Sequence, residues 1–368
     1  MSDAVTLFLC GDVMTGRGID QVLPHPSEPA IREPYMSSAL GYVELAERAH
    51  GPIPGPVDFP YIWGDALAEL EARTPDRRAV NLETSVTTSE DAEPKGINYR
   101  MHPANAPCLI AAGIDCCVLA NNHVLDWGVR GLLETLETLR GAGIATAGAG
   151  RDLEEAAAPA VLAAPDGARV LVFGLASPDS GIPGHWAAAP GRAGVRLLPA
   201  LSESVADRAA EEIRRHRAPG DVVVVSVHWG GNWGYAIPEE QRAFARRLVD
   251  AAAADVVHGH SSHHPKGIEV HRGRPILYGC GDFVNDYEGI SGYEEYRADL
   301  VLAYFVTLDA PSGRLARLET VPFRSRRFRL ERANGEEAEW LRGRLDREGR
   351  ALGTGVESTP EGALALRW

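Results

Sequence analysis

Short apolar runs, each followed by a polar loop and then a helical pattern, recur along most of the chain. This alternation limits the possible folds more than any other feature. VTLFLC leads into GDVMTG, RAVN into LETSVTT, and CCVLA into NNHVLDWGVRG followed by LLETLETLRGAG. In that last segment the leucines at 132, 133, 136 and 139 have helical spacing. VLVFGLA leads into SPDSGIPGHW, and DVVVVSV into HWGGNWG and then PEEQRAFARRLVDAAAA, a helix with Pro238 in its first turn. DVVHGH and PILYGCGDF complete the series. Strands alternating with helices of about ten to fifteen residues indicate an α/β fold. In the tail, DLVLAYFVTLD, RLARLETVPF and FRSRRFRL read as strands and EEAEWLRGRLDREGR as a helix. No repeat or long linker interrupts the chain. Residues 1–368 are therefore expected to form a single domain in which 301–368 closes a second sheet.

Composition narrows the function. The chain is 45% hydrophobic and 24% charged, enough apolar residue for a large soluble core. Its formal charge of −14 argues against the nucleic-acid backbone as a partner. The five cysteines (10, 108, 116, 117 and 280) show no C-x-x-C spacing, so they read as buried small hydrophobes in a reducing compartment. Only six continuous apolar residues, VTLFLC, precede GDVMTGRG. That is too short for a signal segment or for a membrane span, which needs about 20. The expectation is a cytoplasmic protein without a membrane anchor.

Chemistry-bearing residues lie directly after the strands, at the edge where open α/β sheets bind ligands. They are Asp12 in GDVM, Glu83 in NLET, Asn122 and His123 in ANNHVLD, His228 in SVHWGG, and His258, His260 and His263 in HGHSSH. Each alone has an ordinary structural role, such as a cap, a turn or a satisfied core histidine. Together, at successive strand ends, they form the mixed oxygen and nitrogen donor set that suits Zn²⁺, Mn²⁺ or Fe. Asp126, three residues after His123, is placed to orient that imidazole and raise its basicity.

In wording and order these motifs resemble the CapA branch of the calcineurin-like metallophosphoesterase fold. The resemblance rests on GDVMTGR, NLET, ANNHVLDWG with the following helix and AGAG, SVHWG, and ILYGCGDF, across about residues 5 to 290. It implies an α/β/β/α sandwich, two packed β-sheets flanked by helices. It also implies two divalent transition-metal ions and no organic cofactor. By the same resemblance Asp12 ligates one metal, Glu83 bridges, Asn122 and His228 ligate the other ion, and His260 and His263 are divided between them, with His258 the alternative to His260. His123 faces the substrate as the acid/base group, and Asp12 is a further acid/base candidate. The chain departs from ordinary phosphoesterases at Met14, which replaces the histidine of D-x-H. It departs again at Asn81-Leu82-Glu83, which replaces G-D-x-x-D, and at GHSSH, one residue longer than G-H-x-H.

Arg17, Arg100, Trp229, Asp286 and Tyr293 are expected to contact the substrate, the two arginines by holding a carboxylate. The arginines at 324, 326, 327 and 329 read as a solvated strand face. Among CapA-like proteins, the missing anchor favours epimerisation of a residue near the C-terminus of a ribosomally made peptide. The alternatives are a poly-γ-glutamate capsule biosynthesis factor and a metal-dependent hydrolase or phosphoesterase.

Overall fold

The computed structural model describes residues 4–368 and is a mixed α/β structure built on two large sheets. The chain contributes β1 (Ala4–Val13), α1 (Leu40–His50), α2 (Ala66–Arg73), β2 (Arg77–Leu82), β3 (Cys116–Val118), α3 (Gly128–Gly141) and β4 (Ala145–Ala147). A second series follows: β5 (Ala160–Ala163), β6 (Arg169–Ala176), α4 (Glu203–His216), β7 (Val222–His228), α5 (Glu239–Asp250), β8 (Val256–His260), β9 (Ile268–His271) and β10 (Arg274–Leu277). The chain ends with β11 (Asp282–Val284), β12 (Leu300–Asp309), β13 (Arg314–Arg326), β14 (Arg329–Arg332), α6 (Gly335–Gly349), β15 (Gly355–Ser358) and β16 (Leu364–Arg367). The first sheet runs β15-β16-β13-β12-β1-β2-β3-β4, with β11 also paired to β1 and β14 to β13. The second runs β5-β6-β7-β8-β10-β9. The tail thus lengthens the sheet containing β1. It does not close the other sheet, because ten residues of β12 lie antiparallel to β13 and seven of those pair with β1.

Side-chain alternation along each strand explains why the sheets stack. Val5, Leu7 and Leu9 of β1 share one core with Val170, Val172, Val222, Val224 and Val256 of the second sheet. Phe8 and Cys10 point the other way, into a core with Tyr42 of α1, Leu70 of α2 and Leu132, Leu136 and Leu139 of α3. On the far side, Leu171, Phe173, Val223 and Val225 pack against Val205 and Ala209 of α4 and Phe244 and Leu248 of α5. Strands covered on both faces need apolar residues at every position, hence the unbroken VVVV of β7. All five cysteines are buried and free. Among the described residues no helix is long and apolar enough to cross a membrane.

Candidate metal centre

The interface between the sheets turns polar at the C-terminal ends of β7 and β8. Val222 and Val224 face the first sheet, so Ser226 and His228, two and four residues beyond Val224, face it too. Val256, His258 and His260 follow the same rule on β8. The parallel register sets Ser226 beside His258 and His228 beside His260. This geometry separates the two histidine alternatives. His258 lies one rung deeper, its Nε2 2.8 Å from the Cys10 carbonyl and its Nδ1 3.0 Å from Ser226 Oγ, while His260 stands at the edge.

Opposite them, β1 delivers Asp12. Strict alternation from Phe8 and Cys10 would aim Asp12 at the outer helices. A register irregularity between Leu9 and Asp12 turns it toward the second sheet, as bulges do near functional sites. Asp12 accepts from Asn81 Nδ2 at 2.7 Å and from the Ser261 amide at 3.1 Å, and its Oδ1 is 3.7 Å from His260 Nδ1. The neighbouring strand β11 places Asp282 beside Asp12, and His263 Nδ1 meets Asp282 Oδ1 at 2.8 Å. Two triads of donor atoms result, Asp12–His228–His260 and Asp12–His263–Asp282, each within 4.8 Å and buried. Glu83 Oε1 stands 4.0 Å from His228 Nε2, and Asn122 Oδ1 stands 3.2 Å from the same nitrogen.

The electrostatics of this cluster are those of crowded donors. Burial, then the Asp282 carboxylate, push Asp12 up to about 7, and burial and Asp12 raise Glu83 as well. Burial holds His228 and His260 toward the neutral form, although their Nδ1 atoms are 2.8 Å apart. Two facing ring nitrogens beside three buried carboxylates fit a shared cation: neutral imidazole and ionised carboxylate are the ligand forms of transition metals. At His263 burial acts downward, but Asp282 prevails and raises it.

His123 lies beside this cluster, its Nε2 3.8 Å from Glu83 Oε1. Its Nδ1 meets Asp126 Oδ2 at 2.6 Å, and burial lowers its pKa to about 4 despite that carboxylate. Asp126 also accepts from the Tyr99 amide at 2.6 Å and from Lys95 Nζ at 2.7 Å. Lys95 further reaches the Asn122 carbonyl, which ties the two candidate site residues into one turn.

Most of the expected substrate contacts have partners within the fold. Arg17 is buried and committed: it grips Asp286 through Nε (3.1 Å) and Nη2 (2.5 Å), and Glu33 through Nη1 (3.0 Å). Asp286 is spent on that pair. Arg100 donates to the Ser89 and Glu28 carbonyls and lies 4.1 Å over the Trp127 ring. Trp229 is a core residue, its Nε1 bonded to the Tyr278 carbonyl at 2.9 Å. Tyr293 and Arg17 both line a cleft, Tyr293 stacked on Trp233 at 4.1 Å. That cleft, about 430 Å³, is bounded by Arg17, Asn232, His263, Asn285 and Tyr287.

Three site residues escaped the sequence reading. Asp282 carried a legible signal, because GDF repeats the Gly-Asp of GDV at a strand. Lys95 and Tyr287 lie in irregular loops without periodicity, so only folding brings them in.

Comparison with known proteins places the site in a family context. The family model for "Bacterial capsule synthesis protein PGA_cap" matches residues 6–287. A Mycobacterium tuberculosis protein named "Probable polyglutamine synthesis accessory protein" is 50% identical over 367 residues, covering 99% of this chain and 96% of that one. The PGA biosynthesis protein CapA of Bacillus subtilis is 27% identical, over 77% of this chain and 64% of its own length. The capsule biosynthesis protein CapA of Bacillus anthracis is 29% identical, over 77% and 61%.

Proposed function

The chain belongs to the bacterial capsule synthesis protein PGA_cap family, and on that premise we propose that it is a divalent-metal-dependent accessory enzyme that breaks or transfers an amide bond of a glutamyl polymer. The observation that carries this reading is the crossing of two buried ligand triads at Asp12. It is supported by half identity, over nearly the whole chain, to a protein named for polyglutamine synthesis. Peptide epimerisation, the reading favoured from the sequence, has no support in the relatives' names, and the capsule-polymer alternative takes its place. The two stacked sheets with donors at one edge support assignment to the calcineurin-like metallophosphoesterase fold.

The donor set suits two ions of the Mn²⁺, Zn²⁺ or Fe type. Asp12 would be shared, His228 and His260 would hold one ion, and His263 and Asp282 the other, with Glu83 and Asn122 within reach of the first. Bound metal would supply Lewis-acid polarisation of a carbonyl oxygen. The chain's own residues do the rest. Asp126 accepts a hydrogen bond from the Nδ1–H of His123, so the Nε2 lone pair points into the site to take or return a proton. Lys95 fixes Asp126 from the other side. The cleft beside His263 admits the chain of the polymer.

The test is to load the protein with Mn²⁺ or Zn²⁺ and incubate it with γ-linked and α-linked glutamate oligomers. Oligomer length is followed by mass spectrometry. Chelator-sensitive redistribution of chain length is expected for one linkage. A metal-loaded protein that leaves both oligomers unchanged would overturn the assignment.

A further inference from the structure

Two phenols sit beside this site with no role in the chemistry above. Tyr99 and Tyr287 share a hydroxyl–hydroxyl hydrogen bond of 2.9 Å. Tyr99 stands edge-on to the acid/base candidate His123 at 4.4 Å, and Tyr287 stands edge-on to the ligand candidate His263 at 5.2 Å. The pair therefore spans the site from one side to the other. Beneath both rings lies the Arg17 guanidinium, 4.5 Å from the Tyr99 centroid and 5.8 Å from that of Tyr287, held in place by Asp286. Tyr99 is buried, whereas Tyr287 opens onto the cleft shared with His263.

The hydrogen-bond count singles out Tyr287. Its hydroxyl has one proton to give, and among the described residues its only acceptor besides Tyr99 is the Met14 thioether sulfur at 3.7 Å. Thioether sulfur is a weak acceptor. With Tyr99 donating to Tyr287, the Tyr287 proton is free to move from sulfur to a better acceptor in the cleft. A substrate oxyanion is such an acceptor, and hydrogen bonds to charged groups are the strong ones. By the motif resemblance, Met14 stands where ordinary phosphoesterases carry a histidine, and here the Tyr287 phenol faces that side chain.

We propose that Tyr287 is a catalytic residue that donates its hydroxyl to an anionic oxygen of the substrate, with Tyr99 and Arg17 as the residues that position it. This rests on reading the neighbouring cluster as a metal-dependent site. The donor acts as a neutral phenol, so no ionisation is involved. Aimed at developing negative charge, such a donor stabilises a transition state more than a ground state.

The experiment uses inorganic phosphate as an oxyanion probe, titrated calorimetrically into Mn²⁺-loaded protein. Tyr287→Phe keeps the ring and removes one oxygen. It should retain the wild-type metal content and weaken phosphate binding roughly 10- to 100-fold, the range for a hydrogen bond to a charged group. Tyr99→Phe should weaken binding less, because it loosens the donor without removing it. Phosphate bound equally by wild type and Tyr287→Phe would overturn the proposal, and so would wild-type protein that binds metal but no phosphate. Glutamyl oligomers left uncleaved by a protein whose phosphate affinity depends on Tyr287 would remove the polymer reading and leave the donor assignment standing.

Discussion

Replacing Arg17 with methionine separates a structural arginine from one that clamps a substrate. Arg17 is 3% exposed and Asp286 is fully buried. The guanidinium makes two bonds to Asp286 (3.1 and 2.5 Å), one to Glu33 (3.0 Å) and one to the Tyr42 hydroxyl (2.9 Å). Methionine preserves much of the stem but, among the described residues, leaves Asp286 with the Gly18 amide at 3.0 Å and Glu33 with the Tyr42 hydroxyl. Removing one partner of a buried ion pair typically costs about 3–5 kcal/mol, because the remaining charge stays desolvated. With two carboxylates stranded here, the upper end of that range, about 5 kcal/mol, is expected. Urea denaturation of the metal-free protein, followed by tryptophan fluorescence, measures it. The double variant Arg17→Met/Asp286→Leu should be more stable than the sum of the two single losses by about 1–3 kcal/mol, since it removes the stranded charge. A loss under about 1 kcal/mol for Arg17→Met, together with weakened binding of glutamate oligomers, would refute this reasoning and return Arg17 to the substrate.

Further outcomes follow from the site geometry. Elemental analysis after Mn²⁺ or Zn²⁺ reconstitution should find about two ions per chain. Asp282→Asn or His260→Ala should each lose about one of them. His258→Ala should retain both, since His258 is bonded to Cys10 and Ser226. His228→Ala should lose metal and His264→Ala should keep it, because His264 packs among Tyr235 and Tyr296 at 4.4 and 4.7 Å, outside both triads. His123→Ala should keep full metal content and lose roughly 10²–10⁴-fold in turnover of whichever glutamyl oligomer proves to be cleaved. Gly11→Ala would place a methyl 1.8 Å from the Gly281 carbonyl oxygen and wedge β1 from β11. Measured by denaturation and metal analysis, it should lose about 1–3 kcal/mol or more, together with the Asp12–Asp282 site.

The α/β architecture and most of the candidate ligands were legible in the sequence because both depend on local order. Apolar runs of period two or with unbroken burial declare strands, and a donor after such a run lands at a sheet edge whatever the rest of the chain does. Asp12, Glu83, Asn122, His228, His260 and His263 were reached by that logic, and Asp282 could have been. What the tertiary structure alone decided depends on pairings across long stretches of chain. The β7–β8 register, with that sheet stacked on β1, set His258 against the Cys10 carbonyl and His260 one rung further toward the strand end. The return of the tail to β1, and not to the second sheet, depended on strand partners separated by some 300 residues. Above all, the polar contacts of Arg17, Arg100 and Trp229 could not be read from their neighbours in sequence. A charged or amphipathic side chain looks available until the distant carboxylate, carbonyl or ring that satisfies it is brought beside it by folding.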